Sequence, residues 1–125
     1  MICEIYVQSI LVFDLSRRNW NIIVCIIVRL NVGDQQQKQQ FSLKWKLDSC
    51  DGPRNSVKYR DNNTYWDRCC LNPGIYTLIC KNDIGSFGWG NSFIEILGQR
   101  YCDDFAGNKA MRRIIIAGMY KNTDI

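Results

Sequence analysis

Apolar positions recur with a period of two along much of this chain, and nowhere over a useful length with the period of a helix. Phe41, Leu43, Trp45 and Leu47 alternate with Ser42, Lys44 and Lys46, which puts the two sets on opposite sides of a strand with one buried and one wetted face. The same period sets Tyr76, Leu78 and Cys80 on one side of a strand over residues 75–80, and Ile94 and Ile96 on one side of a strand over 93–97. Residues 22–30 are Ile and Val almost continuously, the composition of a buried strand. Residues 114–116 read as a short last strand. Turn signals separate these runs: Asn31-Val32-Gly33-Asp34, Asp51-Gly52-Pro53, Asp61-Asn62-Asn63, Asn72-Pro73-Gly74 and Gly98-Gln99. The polar tract over 35–40 is expected as a hairpin loop or edge segment. Roughly seven or eight short strands at this turn spacing predict an all-β fold, a small β-sandwich. Phe41, Leu43, Trp45, Leu47, Tyr76, Leu78, Ile94 and Ile96 are expected to face inward.

Between two of the predicted strands lies a glycine-rich turn, with Gly85, Gly88 and Gly90 set around Phe87 and Trp89. Close glycines let backbone approach backbone, and the two aromatics are placed to cap one end of the core. Lys44-Trp45-Lys46 resembles an aromatic-basic patch, but alternation turns Trp45 away from both lysines.

The start of the chain fits the pattern poorly. Glu4, Asp14, Arg17 and Arg18 interrupt the apolar character expected of a secretory signal, and no small-residue cleavage site follows. The seven apolar residues over 22–28 are too few to span a bilayer. The expected division is a leader or gene-model extension over 1–21, a β-sandwich domain over 22–118 and a frayed tail over 119–125.

Composition narrows the function. The chain has 125 residues and a net charge of +4, spread thinly, with no basic block of the kind that marks a nucleic-acid or membrane patch. It has no histidine, so the commonest general base and the commonest zinc ligand are both missing. A Ser or Cys nucleophile would have no imidazole to activate it, and a non-catalytic protein is expected.

Seven cysteines in a chain of this size predict a disulfide framework formed in an oxidising compartment, hence a secreted or extracellular protein. Asn62-Asn63-Thr64 is an N-glycosylation acceptor that agrees with secretion. Cys80 and Cys102 both end strand-like runs, separated by one turn and one strand, and are expected to bond to each other. The neighbours Cys69 and Cys70 face opposite ways on a strand. One of them is therefore expected to bond Cys50, leaving the other for Cys25 or for a second chain. Cys3 is expected to be free or absent from the mature protein.

The run Cys69-Cys70-Leu71-Asn72-Pro73-Gly74-Ile75-Tyr76-Thr77-Leu78-Ile79-Cys80, the Gly88-Trp89 turn, the Ile94-Glu95-Ile96 strand and Tyr101-Cys102-Asp103-Asp104-Phe105 resemble a family of small cysteine-rich domains. These occur in secreted and cell-surface proteins of cnidarians and other marine invertebrates and are similar in outline to CUB-type β-sandwiches. The resemblance implies an extracellular module and implies no reaction. The family's turn commonly carries an Asp before Gly-Trp; here Gly85-Ser86-Phe87-Gly88-Trp89 lacks it.

Two kinds of site are therefore expected. Asp83, Glu95, Asp103 and Asp104 are the candidate oxygen ligands should a calcium ion bind at one end of the sandwich. Trp66, Phe87 and Trp89 are the candidate aromatic contacts of a binding or adhesion module for carbohydrate, protein or matrix. The competing expectation is a structural matrix component whose odd cysteine links chains into disulfide-bonded oligomers.

Overall fold

A computed structural model describes residues 7–14, 19–34, 42–53, 59–83 and 88–118. Cys3, Phe41, Phe87 and the tail over 119–125 lie outside the described residues. Nine strands run through the described residues: β1 (Val7–Asp14), β2 (Asn19–Val32), β3 (Leu43–Leu47), β4 (Cys50–Gly52), β5 (Asn63–Leu71), β6 (Gly74–Asn82), β7 (Phe93–Ile96), β8 (Gln99–Tyr101) and β9 (Lys109–Ile116). There is no helix among them, and so none long and apolar enough to cross a membrane.

The strands form two antiparallel sheets. In the first, β2 is central: β5 lies along one side of it, while β1 and then β7 follow one another along the other, and β8 pairs β7. The second sheet has the order β4-β3-β6-β9. The fold is the all-β, disulfide-stapled sandwich that the period-two pattern predicts. Residues 7–14, expected within a leader, instead form β1 and pair with β2 from Val7 opposite Ile26 to Asp14 opposite Asn19. Asp14, the one charge within these residues, comes last in the strand and is tolerated at a sheet edge.

Inward-facing side chains from both sheets meet in one core. β2 contributes Val24, Ile26, Val28, Leu30 and Val32; Leu43, Trp45 and Leu47 face them from β3, with Leu78 from β6 and Ile114 and Ile116 from β9. Ile94 and Ile96 are fully buried, while Tyr76 is half-buried and packs against the rim. Trp45 is buried and its Nε1–H donates to the Tyr59 hydroxyl at 3.0 Å. Burial pushes the Tyr59 pKa up to about 12, so the hydroxyl stays neutral and keeps its lone pairs for that donor.

Two buried polar side chains tie the turns together. Asn82 accepts from the Ser42 backbone N–H and donates through Nδ2 to the Gly88 carbonyl, both at 3.0 Å. Ser92 accepts from the Gly33 N–H through its hydroxyl at 3.0 Å. Such groups can sit in the core only because they are hydrogen-bonded there. Gly88 has φ +65°, and a Cβ at that position would lie 1.9 Å from the Phe105 carbonyl oxygen. Here the close approach of two backbones requires glycine.

Candidate functional site

The disulfides place the most informative residues. Cys50 of β4 bonds Cys69 of β5, and Cys80 of β6 bonds Cys102 just after β8. Each of these bonds joins one sheet to the other. Cys25 of β2 bonds Cys70, its cross-strand partner on β5, within the first sheet. The adjacent pair thus divides by parity: Cys69 is fully buried and points into the core, while Cys70 is exposed on the outer face. Thiols joined in this way belong to an oxidising, extracellular type of environment. Six of the seven cysteines are used, and Cys3 is the seventh.

The three expected aromatic contacts separate. Phe87 lies outside the described residues. Trp89 is fully buried, donates through Nε1 to the Lys81 carbonyl at 2.9 Å and stands edge-on to Phe105 at 6.2 Å. It caps the core and is not available to a ligand. Trp66 is the opposite case, 64% exposed on the outer face of β5. β5 pairs only with β2 among the described strands, so Trp66 stands at the open margin of the first sheet.

A row of side chains crosses that face from Trp66. Its register partner on β2 is Arg29, that of Arg29 on β7 is Glu95, and that of Glu95 on β8 is Arg100. Arg29 donates through Nη2 to Glu95 Oε2 at 2.5 Å, half-buried. The Arg100 guanidinium lies 4.1 Å from the centre of the Phe93 ring and covers it, a cation–π contact that leaves Phe93 only 7% exposed although it points outward. The margin therefore presents the exposed Trp66 indole beside the Arg29–Glu95 ion pair, an arrangement suited to stacking and hydrogen bonding.

The four candidate calcium ligands are not brought together. Glu95 is held by Arg29 on the outer face of the first sheet, and Asp83, after β6, is ion-paired with Lys44 of β3 in the second. Asp104 lies 3.9 Å from Arg112 of β9, and its neighbour Asp103 is exposed. Among the described residues no group of three or more His, Cys, Asp or Glu side chains could hold a metal ion. Only Glu95 sits on a strand; Asp83 follows β6 and Asp103 and Asp104 follow β8, and the cationic partners of Glu95, Asp83 and Asp104 lie on three different strands. Asn62 is exposed in the turn before β5 with φ 59°, and the Thr64 hydroxyl lies 3.3 Å from Asn31 Oδ1. The acceptor nitrogen thus sits at a protruding turn.

The outer face of the second sheet carries side chains that sequence reasoning passed over. Ile75, Met111 and Ile115 are 60%, 57% and 63% exposed. Their signal was present: β6 reads Gly-Ile-Tyr-Thr-Leu-Ile-Cys and β9 ends Ile-Ile-Ile, so both parities are apolar where a half-wetted strand should alternate.

Comparison with known protein families, with curated proteins and with solved structures gives no match.

Proposed function

We propose that this chain is a secreted, non-catalytic binding module that engages carbohydrate, protein or matrix through the margin of its first sheet. Exposed Trp66 beside the Arg29–Glu95 pair carries this reading. A large aromatic side chain left in water at a sheet margin, next to an ion pair already held in place, has the make-up of an interface anchor. The disulfide framework and the accessible Asn62 acceptor support an extracellular setting, and the resemblance to cysteine-rich cell-surface domains points the same way.

The folded protein, applied to immobilised glycans and extracellular matrix proteins, is expected to retain at least one ligand. Trp66→Ala should weaken that binding about thirtyfold, as for an anchor worth about 2 kcal/mol, without moving the melting temperature. No retained ligand, or binding indifferent to Trp66→Ala, would rule out this margin as the site.

A second reading is supported by the cysteine count. With six cysteines bonded within the chain, Cys3 is left to join two chains in a matrix. A ladder on non-reducing electrophoresis that collapses in the Cys3→Ser variant would favour it; a monomer would exclude it.

A further inference from the structure

We infer that the outer face of the second sheet docks on a membrane surface rich in anionic phospholipid. The face can be laid out from the register alone. Ile75 of β6 is paired with Ile115 of β9 at one end. One outward position further on, Thr77 is paired with Arg113; next, Ile79 lies between Lys46 of β3 and Met111. Last comes a row of three lysines, Lys44, Lys81 and Lys109, on three successive strands. Burial alternation turns all of these outward. Outward positions along a strand are about 6.7 Å apart and neighbouring strands about 4.8 Å, so the whole set lies on one side of a single sheet.

Both halves of this pattern cost stability in water. Large aliphatic side chains stay more than half exposed at Ile75, Met111 and Ile115, and like charges directly opposite one another across strands repel. Among the described residues five cations share the face, and the acids at it are Asp51, opposite Lys46, and Asp83, which pairs with Lys44. An anionic bilayer surface answers both costs at once: the aliphatic tips enter among the headgroups while the ammonium and guanidinium groups meet phosphates. A second copy of the chain does not, because two such faces set the lysine row against either another lysine row or the aliphatic end, and neither supplies it with anions. A soluble polyanion would meet the lysines and leave the aliphatic residues in water. Trp66 stands on the other sheet, so this inference and the ligand margin proposed above stand or fall separately.

The test is co-sedimentation of the folded chain with vesicles of phosphatidylcholine alone and of phosphatidylcholine with phosphatidylserine. Binding is expected only to the second, and should weaken as salt is raised. Lys81→Glu/Lys109→Glu should lower the affinity by an order of magnitude or more, taking roughly fivefold for each cation. Ile75→Ser/Ile115→Ser should lower it by about as much, and Trp66→Ala should leave it unchanged. Equal binding to both vesicles, no binding to either, or indifference to both face variants would overturn the inference. So would retention on a soluble sulfated polysaccharide or an acidic protein without retention on vesicles. Should the variants fail to fold by circular dichroism, the lipid and salt dependence of the unaltered chain decides.

Discussion

On the outer face of the first sheet Arg29 meets Glu95 and Arg100 covers Phe93; on the outer face of the second Lys81 stands between Lys44 and Lys109. Strand geometry is the same on both. Away from the Trp66 margin, cross-strand neighbours on the first face are complementary: charge pairs with charge, and the outward-pointing ring of Phe93 is shielded by a cation. On the second face the row Lys44-Lys81-Lys109 sets like charges side by side, with Asp83 and Asp51 meeting only Lys44 and Lys46 on β3, and its aliphatic residues are left in water. A face that satisfies itself contributes to the fold. On the inference proposed above, the second face is kept for a surface outside the chain.

The largest effect that could break this comparison lies between the faces. If the shared interior holds the sandwich, Trp89→Ala should cost about 3–5 kcal/mol in urea unfolding, since it empties a fully buried site and deletes the bond to the Lys81 carbonyl. Trp66→Ala, on the surface, should change stability by no more than about 0.5 kcal/mol. A heavier loss at Trp66 would make it a structural residue and remove it from the ligand margin. Next in size, Glu95→Gln should destabilise by roughly 1 kcal/mol, a modest loss because Arg29 remains partly exposed to water. Smallest is Lys81→Gln, expected to stabilise by about 0.3 kcal/mol, the gain shrinking as salt is added. The signs of the last two sharpen the contrast. Losing a charge from the first face should weaken the fold, and losing one from the second should strengthen it. A destabilising Lys81→Gln would show that the lysine row is internally compensated.

Much of the sandwich could be read from single residues. The alternation over β3 assigned Leu43, Trp45 and Leu47 to the core, and the opposite directions of Cys69 and Cys70 implied two different partners. The glycine turn gave notice of an aromatic cap, and Trp89 is that cap. What escaped did so for physical reasons. β1 is an apolar edge strand ending on Asp14, and the charges before and after it in the sequence make the stretch resemble a failed leader. The polar first half of β9, Lys109 to Arg113, conceals a strand because at an edge Arg112 can reach toward Asp104 at the rim. The candidate sites were legible only in part. Exposure separates Trp66 from Trp89, and it depends on which strand borders which. Nothing local to Asp83, Glu95, Asp103 or Asp104 announces that they end in different surroundings.

Cys69 and Cys70 have one more consequence, under mechanical load. Through that single peptide bond, β2, β4 and β5 become one covalent unit that includes strands of both sheets. If the chain were pulled from its two ends, tension would bypass everything between Cys25 and Cys70 through one disulfide, and everything between Cys80 and Cys102 through another. Only the segment before Cys25, most of β6 with the turn leading into it, and the segment after Cys102 are free to pay out. Unravelling under force is therefore confined to short lengths of chain, and the strands bearing Trp66 and Arg29 remain joined to each other at Cys70 and Cys25 whatever happens to the hydrogen bonds between them.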